Sequence, residues 1–390
     1  MNWQPIYAVL LFATSVTTYL TTLLINRKDA SQKYRKYVCI VGCLLPLFSL
    51  SLFKYYNFIT ETFEGALTWL GIALTFPKIE LLMPLGISFY TFSSIGYMID
   101  VYRRDYEPEK NFGILCAYVA FFAQISSGPI PRGNQLMPQF KSPENLNADN
   151  IMGGLRTMVW GFFMKLCVAD RFGIYIDTAY IYINEHNGLT LFLSSLLYTI
   201  QIYCDFAGYS LIAIGAAKMV GIKLSENFRR PYFSKSLKEF WSRWHISLST
   251  WFRDYVYIPL GGSRVSKKRN IFNLTITFLL SGLWHGAAWN FLLWGGMHGV
   301  GQAAEKHNPI RYKGPIHIPG FVKVCFVFIF VNFLWVFFRL KDMDNVGTYF
   351  EKILTDLAYP FMNITLVYGL LPFALLFVKE WIDEYHPKIK

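Results

Sequence analysis

Charged side chains are scarce in this chain of 390 residues. Asp, Glu, Lys and Arg make up 16% of it, whereas soluble domains carry about 25%. Apolar residues reach 54% even without glycine, and aromatic residues alone reach 18%. So few polar side chains cannot cover the surfaces of two or three soluble domains. The composition therefore excludes a soluble multidomain protein and predicts an all-α, polytopic membrane protein.

The sequence signals of several common sites are also missing. The chain has no Gly-x-Ser-x-Gly motif for an acyl-enzyme serine, no His-Glu-x-x-His metal motif and no P-loop. Its six cysteines lie in or beside apolar runs, without zinc or disulfide spacing. The basic residues lie among membrane segments, which argues against nucleic-acid binding. We predict no metal site, no bound cofactor and no nucleic-acid partner.

Apolar runs of spanning length recur along the chain, since a membrane-crossing helix needs about 20 residues. Ile6–Ile25 and the run at 37–53 are the clearest. Other runs are shorter or are interrupted by proline, as at Pro77 and Pro84, which is typical of re-entrant or broken helices. We expect about nine to eleven membrane segments, not all of them fully spanning.

The first loop predicts the orientation of the chain. Residues 26–36 hold five Lys and Arg against one Asp, and loops rich in positive charge stay in the cytoplasm. The preceding stretch has neither a basic n-region nor a small-residue cleavage site, so Ile6–Ile25 is interpreted as a retained helix rather than a signal peptide. We therefore expect the N-terminus outside.

A second concentration of positive charge lies between Lys223 and Arg269. This segment has eleven Lys and Arg against three acidic residues, a net charge of +8. Three interpretations fit it: charge that keeps the segment inside, contact with anionic lipid, or a site for a phosphorylated ligand.

An aspartate and a histidine stand out near this basic segment. Asp205 lies in an apolar stretch, where it either pairs with an arginine or a tyrosine hydroxyl, or orients a catalytic histidine. Ser236 and Glu239 form a capping box, so we expect one interfacial helix to begin there. On that helix His245 faces the protein and Arg243 points away.

Two more histidines lie inside the apolar run "FLLSGLWHGAAWNFLLWGGMHG", which extends from Phe278 to Gly299. His285 and His298 are thirteen residues apart, so on one straight helix they fall on different faces. An ionisable group in hydrocarbon is costly and marks either a hydrogen-bonded core residue or a functional site. Acyl transfer to a hydroxyl needs a general base that titrates near neutral pH, and histidine is the usual one.

Four stretches of this sequence resemble the membrane-bound O-acyltransferase family, in its bacterial alginate O-acetylation branch. They are "PLGISFYTFSSIGYMIDVYRRD" (84–105), "FFAQISSGPIPRGNQLMPQF" (121–140), the stretch from "DFAGYS" to "IPLGGSR" (205–264) and "LSGLWHGAAWNFLLWGGMHG" (280–299). The pairing of "RWHISLSTWFRDYVYIPLGG" with "GLWHGAAW" is highly specific. The resemblance implies one membrane domain over 1–390, with its core motifs at 84–299 and a ring of tilted and re-entrant helices around a central channel.

The resemblance also implies roles for individual residues. His285, in Trp-His-Gly, matches the catalytic histidine of the family, and His245 matches its second functional position. Asp205 falls in a motif of this branch, and Trp284 and Gly286 are expected to wall the channel beside His285. His298 falls in a Met-His-Gly pattern of the branch, and we favour a packing role for it.

The implied reaction is O-acetyl transfer across a bacterial inner membrane. The donor would be a cytoplasmic thioester, acetyl-CoA in the favoured version, whose phosphates are attracted by a basic group of residues: Arg264, Lys267, Lys268 and Arg269. The acceptor would be a hydroxyl of an extracytoplasmic glycan, or the serine of a separate esterase-like transferase. In this scheme His285 takes the hydroxyl proton, while His245 orients the donor or stabilises the oxyanion.

Two other functions stay open at this point. One is a D-alanyl or acyl transferase that uses the thioester of an acyl carrier protein. The other is a transporter of a small anion or lipid-linked sugar, with the histidines as a proton relay. A transporter moves intact substrate without a thioester donor, whereas an acyltransferase consumes one.

Overall fold

The computed structural model describes residues 6–125, 128–142, 147–307, 319–340 and 342–386. Within these ranges the regular structure is helical and no β-strand occurs. Six helical stretches are long and apolar enough to cross a membrane, which confirms the prediction of an all-α, polytopic membrane protein. They are Ile6–Ile25, Gln32–Lys54, Ala148–Ile181, Gly188–Met219, Gly320–Arg339 and Ile364–Tyr385.

The chain divides into two compact units. Unit 1 consists of Met1–Met152 and Ala217–Ser225, and unit 2 of Gly153–Ala216 and Glu226–Lys390. The single domain over 1–390 stays a prediction, as do the ring of helices and its channel.

Unit 1 holds the two N-terminal spans and shorter helices. A buried arginine, Arg35, satisfies carbonyl groups at two helix ends in this unit. It donates from Nε to the Ile25 carbonyl at 3.0 Å and from Nη2 to the Tyr102 carbonyl at 3.1 Å. Carbonyls in the last turn of a helix have no partner within that helix, so the guanidinium satisfies them. The helices are α1 (Ile6–Ile25), α2 (Gln32–Lys54), α3 (Tyr56–Trp69), α4 (Ile87–Arg103), α5 (Phe112–Val119), α6 (Phe122–Ile125) and α7 (Gly133–Lys141).

The stretch of unit 1 around Pro77 and Pro84, where the sequence predicts a re-entrant or broken helix, contains no helix before α4 begins at Ile87. Residues 72–84 form irregular backbone between α3 and α4. The Asn57 side chain pairs with this backbone, because its amide donates to the Ile79 carbonyl at 2.9 Å and its oxygen accepts from the Ile79 amide at 3.0 Å. Irregular backbone at membrane depth needs such partners.

Unit 2 holds the predicted site residues. Its helices are α8 (Ala148–Phe162), α9 (Asp170–Ile181), α10 (Gly188–Met219), α11 (Leu237–Arg243), α12 (Ile246–Phe252), α13 (Lys267–His285), α14 (Trp289–His307), α15 (Gly320–Arg339), α16 (Met343–Thr355) and α17 (Ile364–Tyr385). The first residues of α8 and the last residues of α10 belong to unit 1. Two π-helical turns, Phe163–Ala169 and Arg253–Tyr257, extend α8 and α12. The wider π turn is frequent at functional sites.

The apolar run that contains His285 and His298 is a helical hairpin rather than one helix. α13 ends at His285, and residues 286–288 turn the chain into α14. The two helices approach closely at glycine, because a Cβ at Gly299 would lie 2.7 Å from the Thr275 Cα. His285 is therefore at a helix end, next to a turn, and not in the middle of a span.

The predicted interfacial helix begins where expected but is broken at the histidine. The Ser236 side chain accepts from the Glu239 amide at 3.0 Å, as in a capping box, and α11 begins at Leu237. α11 ends at Arg243, Trp244 is extended, and His245 adopts a left-handed conformation with φ 42° and ψ 54° before α12 begins. The prediction of one continuous helix was wrong, because helical periodicity does not reveal a two-residue break.

Arg243 does not point into solvent, which corrects a second expectation. Its Nη1 and Nη2 donate to the Glu384 carboxylate at 2.9 to 3.0 Å, and Nη2 also reaches Glu239 at 2.6 Å. Arg230 donates to the same carboxylate at 2.8 Å. This network links the end of α17 to the segment that carries His245.

We expect Glu384→Ala to lower the free energy of unfolding by about 2 kcal/mol, because it leaves Arg243 and Arg230 partly buried without their shared carboxylate. Asp383→Ala on the same helix is the matched control. It breaks the pair with Lys379, whose side chain is 46% exposed, and should cost less than about 0.5 kcal/mol. Thermal unfolding in detergent measures the stability of both variants. An equal loss of stability in Glu384→Ala and Asp383→Ala would contradict a structural role for the network.

Candidate active site

The left-handed residue His245 is the most constrained of the predicted site residues. Its side chain is fully buried, and left-handed backbone costs a residue with a Cβ about 1–2 kcal/mol. Backbone strain of this kind persists only where the surroundings enforce it, and it is concentrated at functional sites. His245 lies outside the six candidate spans, and burial lowers its pKa to about 3, so the ring is neutral at physiological pH.

One asparagine, Asn227, holds the turn at His245. Its backbone carbonyl accepts from the Ile246 amide at 2.9 Å. Its side-chain oxygen accepts from the Ser247 amide at 3.2 Å and from the Ser247 hydroxyl at 2.9 Å, and lies 3.2 Å from His245 Nδ1. Its side-chain nitrogen donates to the Ser210 hydroxyl at 3.1 Å. Asn227 is 1% exposed, so water does not replace these bonds.

The other ring nitrogen of His245 has no hydrogen bond. Nε2 is buried and finds no partner among the described residues. Buried polar atoms are nearly always hydrogen-bonded, so such an orphan needs an explanation. The surrounding rings are aromatic: Phe206 lies 4.6 Å, Trp284 6.0 Å and His285 6.5 Å from the His245 ring, centroid to centroid. A polar group of a substrate would satisfy this nitrogen.

The structure brings His285 to the same place. Its ring is half-buried and contacts Trp284 at 4.9 Å, Phe338 at 5.1 Å and Trp294 at 5.3 Å between ring centroids. The separation of 6.5 Å from the His245 ring allows one substrate oxygen to lie between two ring nitrogens, since each hydrogen bond spans about 2.8 Å. Two histidines that are forty residues apart in sequence thus lie next to each other in the structure.

Trp284 and Gly286 flank His285 in different ways. The Trp284 ring contacts both histidine rings and so forms a wall of the site. A Cβ at Gly286 would overlap the ring of Phe291, so the close neighbour at this position is a side chain, which would have to move, rather than a backbone.

His298 is packed behind this pair. It is fully buried, and its Nδ1 accepts from the Trp241 indole at 3.3 Å. The Trp294 ring contacts both His298, at 4.9 Å, and His285, at 5.3 Å. Its Nε2, like that of His245, is buried and finds no hydrogen-bond partner among the described residues, so the packing role of His298 stays a prediction.

Asp205 pairs with a lysine that the sequence reasoning did not consider. Lys165, in the π-helical turn after α8, donates to Asp205 at 2.5 Å and to Asp170 at 2.6 Å. The expected partner was an arginine or a tyrosine hydroxyl, or else a catalytic histidine. The observed ion pair supports the structural role for Asp205 with a different cation.

A cavity of about 760 Å³ lies beside these residues and reaches the His285 end of the hairpin. Phe338 belongs to its wall and also contacts His285. Its charges balance, since three carboxylates face three cations. The charged lining residues are Lys165, Asp170, Arg171, Asp177, Asp205 and Arg339.

The basic group predicted to attract the donor lies at the opposite end of α13. Arg264, Lys267, Lys268 and Arg269 are exposed around the first turn of this helix, whose last residue is His285. Nineteen helical residues span about 27 Å. The structure therefore separates these cations from the histidine pair, and they cannot contact a group that reacts at His285.

The sequence reasoning missed Asn227, Phe206 and Phe338. Asn227 lies inside a quoted motif, but an isolated asparagine carries no spacing signal. The two phenylalanines are indistinguishable from core residues by composition. Within the described ranges, no group of three or more His, Cys, Asp or Glu is arranged to hold a metal ion.

Comparison with known proteins places these residues in a family context. The profile of the membrane-bound O-acyltransferase family matches residues 110–341, which include both histidines and Asn227. The probable alginate O-acetylase AlgI of Pseudomonas syringae pv. tomato is 38% identical over 345 residues, 88% of this chain and 66% of the relative. The peptidoglycan O-acetyltransferase of Helicobacter pylori is 33% identical over 370 residues, 88% of this chain and 69% of the relative.

A more distant similarity extends to another chemistry. The teichoic acid D-alanyltransferase of Bacillus subtilis is 28% identical over 304 residues, 76% of this chain and 74% of the relative. This chain spans about two thirds of the length of the alginate O-acetylases it matches.

Proposed function

This chain belongs to the membrane-bound O-acyltransferase family, and we propose that it transfers an acetyl group from a cytoplasmic thioester to a hydroxyl on the far side of the membrane. The observation that carries the proposal is the pair of histidine rings 6.5 Å apart, one of them with a buried, unpartnered nitrogen. Acetyl-CoA is the proposed donor. The acceptor is the hydroxyl of an extracytoplasmic glycan or of a partner transferase, in line with the names of the O-acetylating relatives.

In the proposed step His285 acts as the general base. It takes the proton of the acceptor hydroxyl as the oxygen attacks the thioester carbonyl, and the new ester forms as the carbon–sulfur bond breaks. The proton on His285 then passes to the departing thiolate, so the histidine returns to its starting state. His245 orients the reacting groups beside it.

The two ends of the hairpin suggest separate routes for donor and acceptor. The basic group at the start of α13 faces the cytoplasm by the positive-inside rule and suits the phosphates of acetyl-CoA. The charge-balanced cavity at the other end suits an uncharged hydroxyl group. In this proposal the donor enters at the basic group, the acceptor enters at the cavity, and the acetyl group passes between them at His285.

The cellular placement belongs to the same proposal. We place the chain in a bacterial inner membrane with its N-terminus outside, on the charge of the 26–36 loop. A cysteine substituted for exposed Ser31 should react with an impermeant thiol reagent only from the cytoplasmic side. Labelling from the outside would contradict this orientation and place the N-terminus in the cytoplasm.

The function is tested with purified protein in nanodiscs and radiolabelled acetyl-CoA, with and without acceptors from a membrane extract. Thioester consumption that depends on the acceptor supports the proposal. Consumption of carrier-bound D-alanine instead would favour the chemistry of the teichoic acid relatives. Movement of intact substrate across a vesicle without any thioester would favour a transporter.

We expect Lys267→Gln/Lys268→Gln to raise the KM for acetyl-CoA about 5-fold and to leave kcat unchanged, because exposed charges attract the donor without contacting the reacting atoms. The effect should shrink at high salt. Lys33→Gln/Lys36→Gln removes the same charge from exposed positions at the start of α2 and is the control. A lower kcat in the first variant, or an equal rise in KM in the control, would contradict donor attraction at this site.

A further inference from the structure

We infer that Asn227 is a positioning residue that fixes which nitrogen of His245 carries the proton, so that His245 presents Nε2 to the substrate as a hydrogen-bond acceptor. This inference rests on the proposed acyl transfer for its functional meaning. Its geometric basis is independent of that proposal.

The orientation of the Asn227 amide follows from a donor that cannot change. The backbone N–H of Ser247 points at Asn227 Oδ1 at 3.2 Å, and a backbone amide only donates. The atom that faces it must therefore be the amide oxygen. The opposite end of the amide donates to the Ser210 hydroxyl at 3.1 Å, which agrees with this assignment.

The tautomer of His245 follows from the amide orientation. Nδ1 lies 3.2 Å from the same Asn227 oxygen, and two lone pairs facing each other at that distance would repel. Nδ1 therefore carries the proton and donates. In a neutral imidazole the other nitrogen then has the lone pair, and that nitrogen is the buried, unpartnered Nε2.

This assignment decides between two roles for His245. A neutral Nε2 with a lone pair accepts a hydrogen bond and cannot donate one to an oxyanion. It can orient a donor, such as the hydroxyl of the acceptor or an amide N–H in the arm of acetyl-CoA. The geometry points to orientation of a hydrogen-bond donor rather than oxyanion stabilisation.

Asn227 also stabilises the backbone on either side of His245. Ile246 donates to its carbonyl at 2.9 Å, and the Arg229 amide donates to the Arg243 carbonyl at 2.9 Å, so residues 227–229 pair with residues 243–246. The strained backbone of His245 lies between these bonds. One residue thus fixes the tautomer of the ring and the conformation of its backbone.

The direct test is solid-state NMR of protein labelled with ¹⁵N and ¹³C at histidine, in nanodiscs, with the His245 signals assigned by their loss in His245→Asn. We expect the Nδ1–H tautomer in the wild type. In Asn227→Ala we expect a mixture of tautomers, whereas Ser210→Ala, which removes the hydroxyl at the far end of the amide and leaves Asn227 Oδ1 in place, should keep the wild-type tautomer. An Nε2–H tautomer in the wild type would overturn the inference without any variant.

The kinetic test separates positioning from binding. Asn227→Ala should lower kcat about 100-fold and change the KM for acetyl-CoA less than 2-fold, and Asn227→Asp, which keeps an oxygen at the same place, should recover part of that loss. An unchanged kcat in Asn227→Ala contradicts the inference. The NMR readout does not depend on turnover, so failure of the acyl-transfer proposal and failure of the tautomer assignment give different results.

Discussion

His285→Ala should abolish thioester consumption, with a fall in kcat of at least about 1,000-fold, while the protein remains folded. The expected loss is large because the proposed base has no substitute at its position. The neighbouring rings of Trp284, Phe338 and Trp294 cannot accept a proton from a hydroxyl, and His245, whose pKa is lowered to about 3 by burial, is a much weaker base than an ordinary histidine. The His285 ring is half-buried at a helix end, so its removal costs less packing than the loss of a fully buried aromatic side chain.

The matched control is His307→Ala, which removes a histidine at the far end of the same hairpin. His307 lies at the end of α14, and its Nε2 is 3.0 Å from the Asn270 side-chain oxygen. Nineteen helical residues place it about 27 Å from the turn that follows His285. Wild-type turnover in this variant, with none in His285→Ala, assigns the loss to the site. Full turnover in His285→Ala would remove this residue from the chemistry.

Sequence reasoning located the two histidines but not the structure that makes them a site. Periodicity and composition identified a helical membrane protein, because scarce charge and long apolar runs leave few other folds. The resemblance singled out His245 and His285 by short motifs. Neither source predicted that the chain turns directly after His285, since the Gly286–Ala288 segment is as apolar as the helices it joins.

The remaining misses share one physical cause. The partners of Arg243, Asp205 and His245 are Glu384, Lys165 and Asn227, which are 141, 40 and 18 residues away. A single sequence gives the cost of burying a polar group, but it does not say which distant group satisfies it. The break at His245 is set by such partners as well, because the bonds from Asn227, and not local propensity, hold the left-handed turn.

Two substitutions of His245 separate its chemical role from its structural one. His245→Ala and His245→Gly both remove the imidazole, and both should lower kcat by at least about 100-fold. They differ in backbone cost. Alanine keeps a Cβ at φ 42°, whereas glycine adopts that conformation freely, so we expect the glycine variant to be about 1 kcal/mol more stable than the alanine variant.

The comparison separates the two roles because the alanine and glycine variants differ only in the Cβ of residue 245 and keep the same surrounding contacts. Asn227 keeps its bonds to Ile246 and Ser247 in both, so the turn persists. Turnover of acetyl-CoA and the midpoint of thermal unfolding are measured on both proteins in nanodiscs. If His245 only supports the fold, turnover should recover with stability and the glycine variant should be active. If Nε2 orients the reacting groups, the more stable variant is as inactive as the other, because the nitrogen that the substrate needs is missing from both.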